Sequence, residues 1–519
     1  MGKLKWLDSY RKLLADKPDM GEIEWRFDCF KEYIVQKGLG YPGKLIRSEK
    51  SRTDIRINDP QGISHIVIET KKDDTDLDKV DLSDKHSTLS QAIGYLQGGE
   101  SFIVLASPKR MRLFSPKGTH IQDMELIEEN LQDNVSFWQL SYEYMSQKKH
   151  LGPFREGKFD YCYIPVHTPE GFVKFISALR LCGSLLLRRL GYAWDDLRKQ
   201  HAEYQQKLAD LEEKTKNLEN LAMAKQELDE RIAILAKEKS RLIRQYAVAI
   251  EVMEQSFPAF SVIQPYSRDV EAKDLLDIYL ADITYSALNR MLFVRIAEDK
   301  HLLTRKISNG GIGVWRNFTT YLKDKYQDLL LVAYKDAGGI YEHFFEQGIF
   351  DWYVKGNSNL NEVLETILFL LNAFDLSKVD RDTLGDLYEA YLNPKERKKL
   401  GEFYTPREVV DYILKHIGWD GRGTLLDPAC GSAGFLVRAA NILLKDMENR
   451  GISDPLRIQA LGTVVGLDIN PFATHIAEMN LLFLILDVYL KAKEAAEKEG
   501  KEFKLQRLPI YTVDSLSGV

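Results

Sequence analysis

The sequence predicts a multidomain α/β protein, with an α/β region at each end of the chain and a helical region between them. Near the C-terminus, two apolar segments end in Asp427 and Asp468, and the first continues through small residues into a helix-like segment. Near the N-terminus, a segment with helical spacing of apolar residues precedes strand-like segments at 53–57 and 64–70. Residues 192–257 contain neither Gly nor Pro, as expected for a long helix or a helical hairpin.

Length, charge and cysteine usage narrow the class of protein. A chain of 519 residues holds several domains, and we predict domains at 1–150, 151–375 and 376–519. The net charge of −6 excludes a protein that is basic throughout, although DNA-binding proteins often confine Lys and Arg to one face. The cysteines form no pair with metal-ligand spacing, and the N-terminus has no apolar signal segment. We therefore expect a cytoplasmic protein without a membrane partner.

Asp54, Glu69 and Lys71 form the candidate catalytic group of the N-terminal region. The strand-like segment 64–70 is apolar and runs directly into Glu69-Thr-Lys71. Side-chain alternation places Glu69 and Lys71 on one side of that strand, and Asp54 would lie on the neighbouring strand. The carboxylates of Asp54 and Glu69 and the Thr70 carbonyl are hard oxygen ligands that suit Mg²⁺, and a neighbouring lysine can orient an attacking water. On these residues alone, a solvated Glu–Lys pair on an edge strand remains open.

The order of elements around this group adds a resemblance. A helix at 22–35 precedes the two strands, a helix-like segment containing Gln91 follows them, and a strand at 102–106 comes next. This order resembles the PD-(D/E)xK nuclease domain at the N-terminus of type I restriction subunits and related fused enzymes. The resemblance implies a Mg²⁺-dependent nuclease in residues 1–150, with Glu24 as an additional acid and Gln91 beside the site.

The region 151–375 is predicted to be a helical connector that contains a long helical arm at 192–257. Leucines recur in this arm at every seventh position, which is the spacing of a coiled-coil seam: Leu221, Leu228, Leu235 and Leu242. The other half of the heptad contains polar residues such as Arg231 and Glu238. This pattern favours an intramolecular helical arm over a dimer zipper.

Three motifs in the region 376–519 predict a site for a polar small molecule. They read Gly-Glu-Phe-Tyr-Thr-Pro at 401–406, Asp-Pro-Ala-Cys-Gly-Ser-Ala-Gly-Phe at 427–435 and Gly-Leu-Asp-Ile-Asn-Pro-Phe at 466–472. A strand that ends in an acid, followed by small residues and a helix start, presents backbone N–H groups to a ligand. An acid at the end of the second strand typically binds ribose hydroxyls. Within the first motif, Thr405 is predicted to be a helix N-cap.

In this order, the three motifs resemble those of the N6-adenine DNA methyltransferases of restriction–modification systems. The resemblance implies a partial Rossmann-like domain that binds S-adenosylmethionine. Ala433 replaces the usual glycine of the second motif. Asp514, after a third strand, would contact the adenine ring of the cofactor or else cap a turn. The cofactor-binding residues implied by the resemblance are Phe403, Tyr404, Thr405, Asp427, Ala429, Gly431, Asp468, Ile469 and Asp514.

The catalytic Asn-Pro-Pro-Tyr motif of that family does not occur in these 519 residues. We expect the motif to lie beyond Val519, in a longer fused restriction–modification enzyme of the type IIG or type I-like kind. Its partner would be double-stranded DNA, recognised through a further C-terminal region or a separate specificity subunit. Two alternatives remain: a non-catalytic scaffold that binds DNA or senses the cofactor, and a methyltransferase whose N-terminal domain is structural.

Overall fold

The structure is a computed structural model that describes residues 4–516, except for 49–53, 59–63, 98–99, 132–133, 143–144, 146–163, 220–224, 264–271, 309, 319–324, 347, 356–359, 380–404 and 502. The chain divides into two compact units. The first contains Met1–Leu185, Ile312–Asn317 and Glu365–Asp375, and the second contains Leu186–Gly311, Phe318–Leu364 and Leu376–Val519. The second unit joins helices of the predicted connector to the predicted C-terminal region. The three-domain division therefore stays a prediction.

The first unit is built on a six-stranded mixed sheet with its strands in chain order. The strands are β1 (Ile46–Arg47), β2 (Ile55–Asn58), β3 (Ser64–Thr70), β4 (Phe102–Ala106), β5 (Arg110–Phe114) and β6 (His120–Glu125). Only the β3–β4 pair is parallel among the pairs of this sheet. All residues of β3 are buried, as expected for a central strand. The predicted strands at 64–70 and 102–106 are confirmed, and the one predicted at 53–57 is β2.

Short helices accompany this sheet. They are α1 (Lys5–Asp16), α2 (Glu22–Glu24) with the π-helix Trp25–Gly38 that continues it, α3 (Thr88–Gly94), α4 (Glu128–Leu131) and α5 (Val135–Gln139). Trp25 is fully buried and donates its indole N–H to the Tyr10 hydroxyl at 3.1 Å, so the π-helix is tied to α1. The predicted helix at 22–35 is confirmed. From Trp25 onward its backbone has π-helical rather than α-helical geometry.

The middle of the chain is helical, as predicted. Its α-helices are α6 (Pro169–Glu219), α7 (Lys225–Gln245), α8 (Ala247–Ile250), α9 (Phe257–Ile263), α10 (Ala272–Asp299), α11 (Gly311–Phe318), α12 (Tyr326–Gly338), α13 (Glu342–Phe345) and α14 (Asn361–Leu371). A two-residue parallel pair, β7 (Ile164–Pro165) with β8 (Phe374–Asp375), belongs to the first unit.

The predicted arm is a helical hairpin formed by α6 and α7. Tyr204 of α6 packs against Leu242 and Tyr246 in a buried apolar cluster. Lys239 of α7 pairs with Glu212 of α6 at 2.9 Å. These contacts join the two helices of the hairpin within one chain, and the preference for an intramolecular arm over a dimer zipper stays a prediction.

The C-terminal region contains a three-stranded parallel sheet in the order β11-β10-β9. Its strands are β9 (Leu425–Asp427), β10 (Val464–Asp468) and β11 (Ile510–Thr512), and its helices are α15 (Arg407–His416), α16 (Gly434–Asn449), α17 (Asp454–Ala460) and α18 (Pro471–Lys498). Parallel neighbours need crossover connections, which α16, α17 and α18 provide. The central strand β10 pairs Gly466 with Asp427 on one side and with Ile510 on the other.

The long helix α18 supplies much of the core of this region. Among the described residues, one helical stretch, Ala473–Lys498, is long and apolar enough to cross a membrane. Of its most apolar part, 78% is buried inside the protein. Burial of this kind is typical of a core helix.

Candidate functional site

The carboxyl ends of β9 and β10 bring Asp427 and Asp468 to one edge of the parallel sheet. The Asp468 carboxylate accepts the backbone N–H of Gly431 through one oxygen and that of Asn470 through the other, both at 2.8 Å. The N–H of Cys430 donates to the Leu467 carbonyl, also at 2.8 Å. The turn that follows β9 is therefore bound to the end of β10.

Gly466 allows this turn to lie close to the sheet. A Cβ atom at Gly466 would lie 2.5 Å from Leu436 Cδ1, 2.8 Å from Ile510 Cδ1 and 3.0 Å from Cys430 Sγ. Cys430 is itself buried, and burial raises the pKa of its thiol far above the usual range. Its side chain therefore packs in the turn as a neutral thiol.

The turn uses left-handed backbone conformations at Gly431 and Ala433, with φ of 50° and 71°. Glycine adopts this region without steric penalty, but alanine does not. Ala433 is fully buried and stands directly before α16. The substitution of the usual glycine thus keeps the shape of the turn but places a Cβ atom in an unfavourable backbone region.

The remaining residues of the predicted cofactor set lie around this edge. Asp427 accepts the backbone N–H of Ala429 at 3.2 Å, and burial, reinforced by the charge of Asp468, raises the pKa of the Asp427 carboxyl. Ile469 is 43% exposed. Asp514 accepts the backbone N–H of Leu516 at 2.9 Å, which is the turn-capping contact left open by the sequence.

The first motif lies mostly outside the described residues, which include neither Phe403 nor Tyr404. The prediction that Thr405 is the N-cap of the next helix is wrong, because α15 begins at Arg407 with Pro406 as its N-cap. Pro406 has a ψ of 141°, which is extended rather than helical. Its carbonyl accepts the N–H groups of Val409 and Val410, at 2.9 and 3.1 Å.

A second group of polar side chains lies in the first unit and contains Asp54, Glu69 and Lys71. Lys71 Nζ lies 2.8 Å from Glu69 Oε1. The other carboxylate, Asp54, accepts the backbone N–H and the hydroxyl of Thr70 through Oδ2, both at 2.7 Å. Burial raises the pKa of the Glu69 carboxyl, and the charge of Asp54 adds to the rise. The hairpin β2–β3 thus brings together the three residues that the sequence singled out.

Arg26 is a member of this group that was not predicted from the sequence. Its Nη2 atom lies 2.7 Å from Asp54 Oδ1 and 2.8 Å from Glu22 Oε1, and its Nε donates to the Thr70 hydroxyl at 2.7 Å. Arg26 follows Glu22 by four residues on the helix predicted at 22–35. One sequence signal could have found Arg26. It is a basic residue on the same predicted helix as Glu24, the additional acid that the resemblance implies.

Two predicted neighbours of this group have other contacts. Glu24 pairs with Lys17 at 3.1 Å, and both side chains are about half exposed. Glu22, not Glu24, is the acid of this helix that reaches Arg26, because residues four apart share a helix face whereas residues two apart do not. Gln91 donates to the His86 carbonyl at 3.1 Å, beside the start of α3.

The donors at Asp54 and Glu69 fit Mg²⁺ in type but are few. Within the described residues, no cluster of three or more His, Cys, Asp or Glu side chains is arranged to hold a metal ion. Mg²⁺ is commonly held by one or two carboxylates and completes its coordination with water. Asp54 and Glu69 could supply those carboxylates, although Oδ2 of Asp54 already accepts two hydrogen bonds from Thr70 and Oδ1 forms an ion pair with Arg26.

A parallel sheet with acids at neighbouring strand ends and a glycine turn between strand and helix is an arrangement typical of α/β domains that bind nucleotide-like cofactors. Residues 379–497 match the family model described as N-6 DNA Methylase. The match covers this C-terminal region alone, which is similar to domains of that family.

Individual relatives agree with this family. The chain is 36% identical over 86 residues to the "Type I restriction enzyme MjaVII methylase subunit" of Methanocaldococcus jannaschii, covering 16% of this chain and 15% of that one. It is 31% identical over 108 residues to the "Type II restriction enzyme and methyltransferase RM.BcgI" of Heyndrickxia coagulans, covering 20% and 16%. The chain thus spans about a sixth of the length of these curated relatives.

A solved structure, "cryoEM structure DrdV-DNA complex", aligns with 99% of this chain and 40% of its own at 15% identity. The TM-score of that alignment is 0.28, which is too low to define a shared fold.

Proposed function

We propose that residues 376–519 belong to an S-adenosylmethionine-dependent DNA methyltransferase of a restriction–modification system, which modifies adenine at N6. The observation that carries the proposal is the Asp468 carboxylate at the carboxyl end of β10, bonded to the glycine turn that follows β9. It is supported by the N-6 DNA methylase family match over 379–497. The partners would be double-stranded DNA and a specificity subunit or a further recognition region, in the cytoplasm.

The chain's own residues would bind and orient the cofactor. S-adenosylmethionine supplies a methyl group on a good leaving group, so positioning contributes most of the catalysis. A carboxylate can accept about four hydrogen bonds. Asp468 accepts two, from the backbone N–H groups of Gly431 and Asn470. The remaining acceptor positions are available to ribose hydroxyls. Ile469 and Asp514 would border the adenine ring, and the motif at 401–406 would contact the methionine end.

Cofactor binding by the chain tests this function. Titration calorimetry should detect binding of S-adenosylmethionine, and Asp468→Asn should weaken it by at least about tenfold, since a charge-assisted hydrogen bond contributes about 1.5–3 kcal/mol. Asp420→Asn is the matched control, because Asp420 is exposed in the same region. Unchanged affinity in folded Asp468→Asn protein would contradict the proposed ribose contact.

A second candidate function is Mg²⁺-dependent DNA cleavage by the first unit. The observation that favours it is the convergence of Asp54, Glu69 and Lys71 on the β2–β3 hairpin, with Glu69 only 5% exposed. In this proposal Asp54 and Glu69 would hold the ion. Lys71 would orient a water whose oxygen bonds to phosphorus while the P–O bond to one deoxyribose oxygen breaks. The ion would supply charge stabilisation for the phosphate.

Nicking of supercoiled DNA tests the nuclease separately from methylation. The chain should nick plasmid in Mg²⁺, and both Glu69→Gln and Lys71→Met should abolish nicking. Lys37→Met is a control for Lys71→Met, because Lys37 is exposed and pairs with Glu32 on the surface. Nicking that persists in the Glu69 and Lys71 variants would exclude this site and favour a structural N-terminal domain.

A further inference from the structure

We propose that Arg26 is an internal counter-ion of Asp54, which a divalent cation must displace before Asp54 and Glu69 can bind it together. The inference rests on the proposed nuclease site and adds to it a residue that controls metal affinity. It assigns Arg26 a positioning role toward Asp54 and no part in bond breaking.

The contacts of Asp54 show what an arriving cation would meet. Oδ1 of Asp54 lies 2.7 Å from Arg26 Nη2, and Oδ2 accepts both the N–H and the hydroxyl of Thr70. Arg26 also donates its Nε to the same Thr70 hydroxyl. The side chains of Arg26 and Asp54 are only 13% and 16% exposed, so water screens their attraction weakly. A metal ion would therefore compete with the Arg26 guanidinium for Oδ1 of Asp54.

The charges around the two carboxylates identify Arg26 as the cation to be replaced. Each carboxylate has its own cation, Lys71 on Glu69 and Arg26 on Asp54. A divalent ion held by Asp54 and Glu69 would compete with both cations for the negative charge of the two carboxylates. Lys71 has a role in the proposed reaction, whereas Arg26 has none once the ion is bound.

Glu22 provides a second position for the guanidinium. The same Nη2 atom that contacts Asp54 lies 2.8 Å from Glu22 Oε1. The Glu22 side chain is 36% exposed, so it lies nearer to solvent than Asp54. Arg26 can therefore release Asp54 and keep an ion pair with Glu22, without leaving a buried charge unpaired.

Mn²⁺ binding to the whole chain without DNA tests this role. The free ion is measured by electron paramagnetic resonance. Arg26→Met should bind Mn²⁺ at least about tenfold more tightly than the wild type, because the competing ion pair with Asp54 is lost. Arg26→Lys keeps the positive charge but loses the planar guanidinium group with its several N–H donors. This variant should bind Mn²⁺ with intermediate affinity. Arg11→Met removes the same charge from an exposed position of α1 and should bind as the wild type does.

The outcomes separate this inference from the proposed nuclease. Equal Mn²⁺ affinity in wild type and Arg26→Met, with weaker binding in Asp54→Asn, would overturn the role of Arg26 and leave the metal site standing. Tighter binding in Arg11→Met as well would also overturn it, since the effect would then be one of net charge. If Asp54→Asn, Glu69→Gln and the wild type bind Mn²⁺ with the same affinity, the result would contradict the proposed metal site itself. If circular dichroism shows that Arg26→Met is unfolded, Arg26→Lys decides by the same measurement.

Discussion

The carboxylate of Asp468 accepts a hydrogen bond from the backbone N–H of Gly431 at 2.8 Å. Asp468 ends β10, and Gly431 lies in the turn after β9, so this bond joins neighbouring strands at their carboxyl ends. The other oxygen of Asp468 accepts the N–H of Asn470. One side chain thus holds two backbone segments of the proposed cofactor site.

Asp468→Ala should therefore destabilise the protein as well as remove the proposed ribose contact. Two hydrogen bonds to a charged group are lost, and we expect a loss of about 2 kcal/mol in the free energy of unfolding. Urea denaturation followed by circular dichroism measures it. Glu494→Ala, at an exposed position of α18, should change the free energy by less than about 0.5 kcal/mol. An Asp468→Ala protein as stable as this control would contradict the structural role.

Ala433→Gly should stabilise the protein by about 0.5–1 kcal/mol. Ala433 has a φ of 71°, and glycine removes the steric penalty of that conformation, which exceeds the entropy that glycine adds to the unfolded chain. The urea midpoint measures the change. Ala440→Gly is the matched control: Ala440 is buried within α16, where glycine should destabilise by about 1 kcal/mol. Opposite signs for the two identical substitutions are expected, and equal signs would contradict the prediction.

Gly466→Ala should destabilise the protein by about 1–3 kcal/mol, the usual range for overpacking. The new Cβ atom would lie 2.5 Å from Leu436 Cδ1 and 2.8 Å from Ile510 Cδ1, so these two buried side chains must move. The shift should also weaken S-adenosylmethionine binding, because the turn at Cys430 lies against the same position. Thermal melting and calorimetry measure the two effects. At Gly462, no described atom would lie within 4 Å of an added Cβ, and Gly462→Ala should leave both quantities unchanged.

Glu478 makes the stability of the second unit depend on pH. Burial raises the pKa of its carboxyl from 4.5 to about 7, with the Tyr341 hydroxyl at 3.2 Å and His343 Nε2 at 3.6 Å from the same oxygen. Because the pKa is higher in the folded than in the unfolded state, this group's contribution to stability is fully present below pH 4.5. It is lost as pH rises toward 7. We expect a loss of about 3 kcal/mol across that window, from about 1.4 kcal/mol per pKa unit.

Glu478→Gln should remove this part of the pH dependence. Melting temperatures between pH 5 and pH 8 should fall less steeply for Glu478→Gln than for the wild type, and the variant should be the more stable protein at pH 8. Glu499→Gln, at an exposed position after α18, serves as the control and should keep the wild-type slope. Equal slopes for Glu478→Gln and wild type would show that Glu478 is not the group responsible.

Several features of both candidate sites were predictable because they depend on short stretches of sequence. An apolar run that ends in an acid places Asp427 and Asp468 at strand ends. The alternation of side chains along β3 and its pairing with β2 bring Glu69 and Lys71 near Asp54. The boundary of α15 was misplaced by one residue, because Pro406 fits equally well as the first helical residue and as the residue before it.

The sequence by itself determined the strand ends, the glycine turn and the three-residue group on the hairpin, since each follows from backbone preferences and side-chain periodicity over a few residues. Only the tertiary structure decided that Arg26 contacts Asp54, that Glu22 rather than Glu24 pairs with Arg26, and that the carboxylate of Asp468 accepts the N–H of Gly431. The physical reason is that these contacts depend on how a helix is rotated against a sheet and how two parallel strands are aligned. Packing of the whole domain sets both quantities.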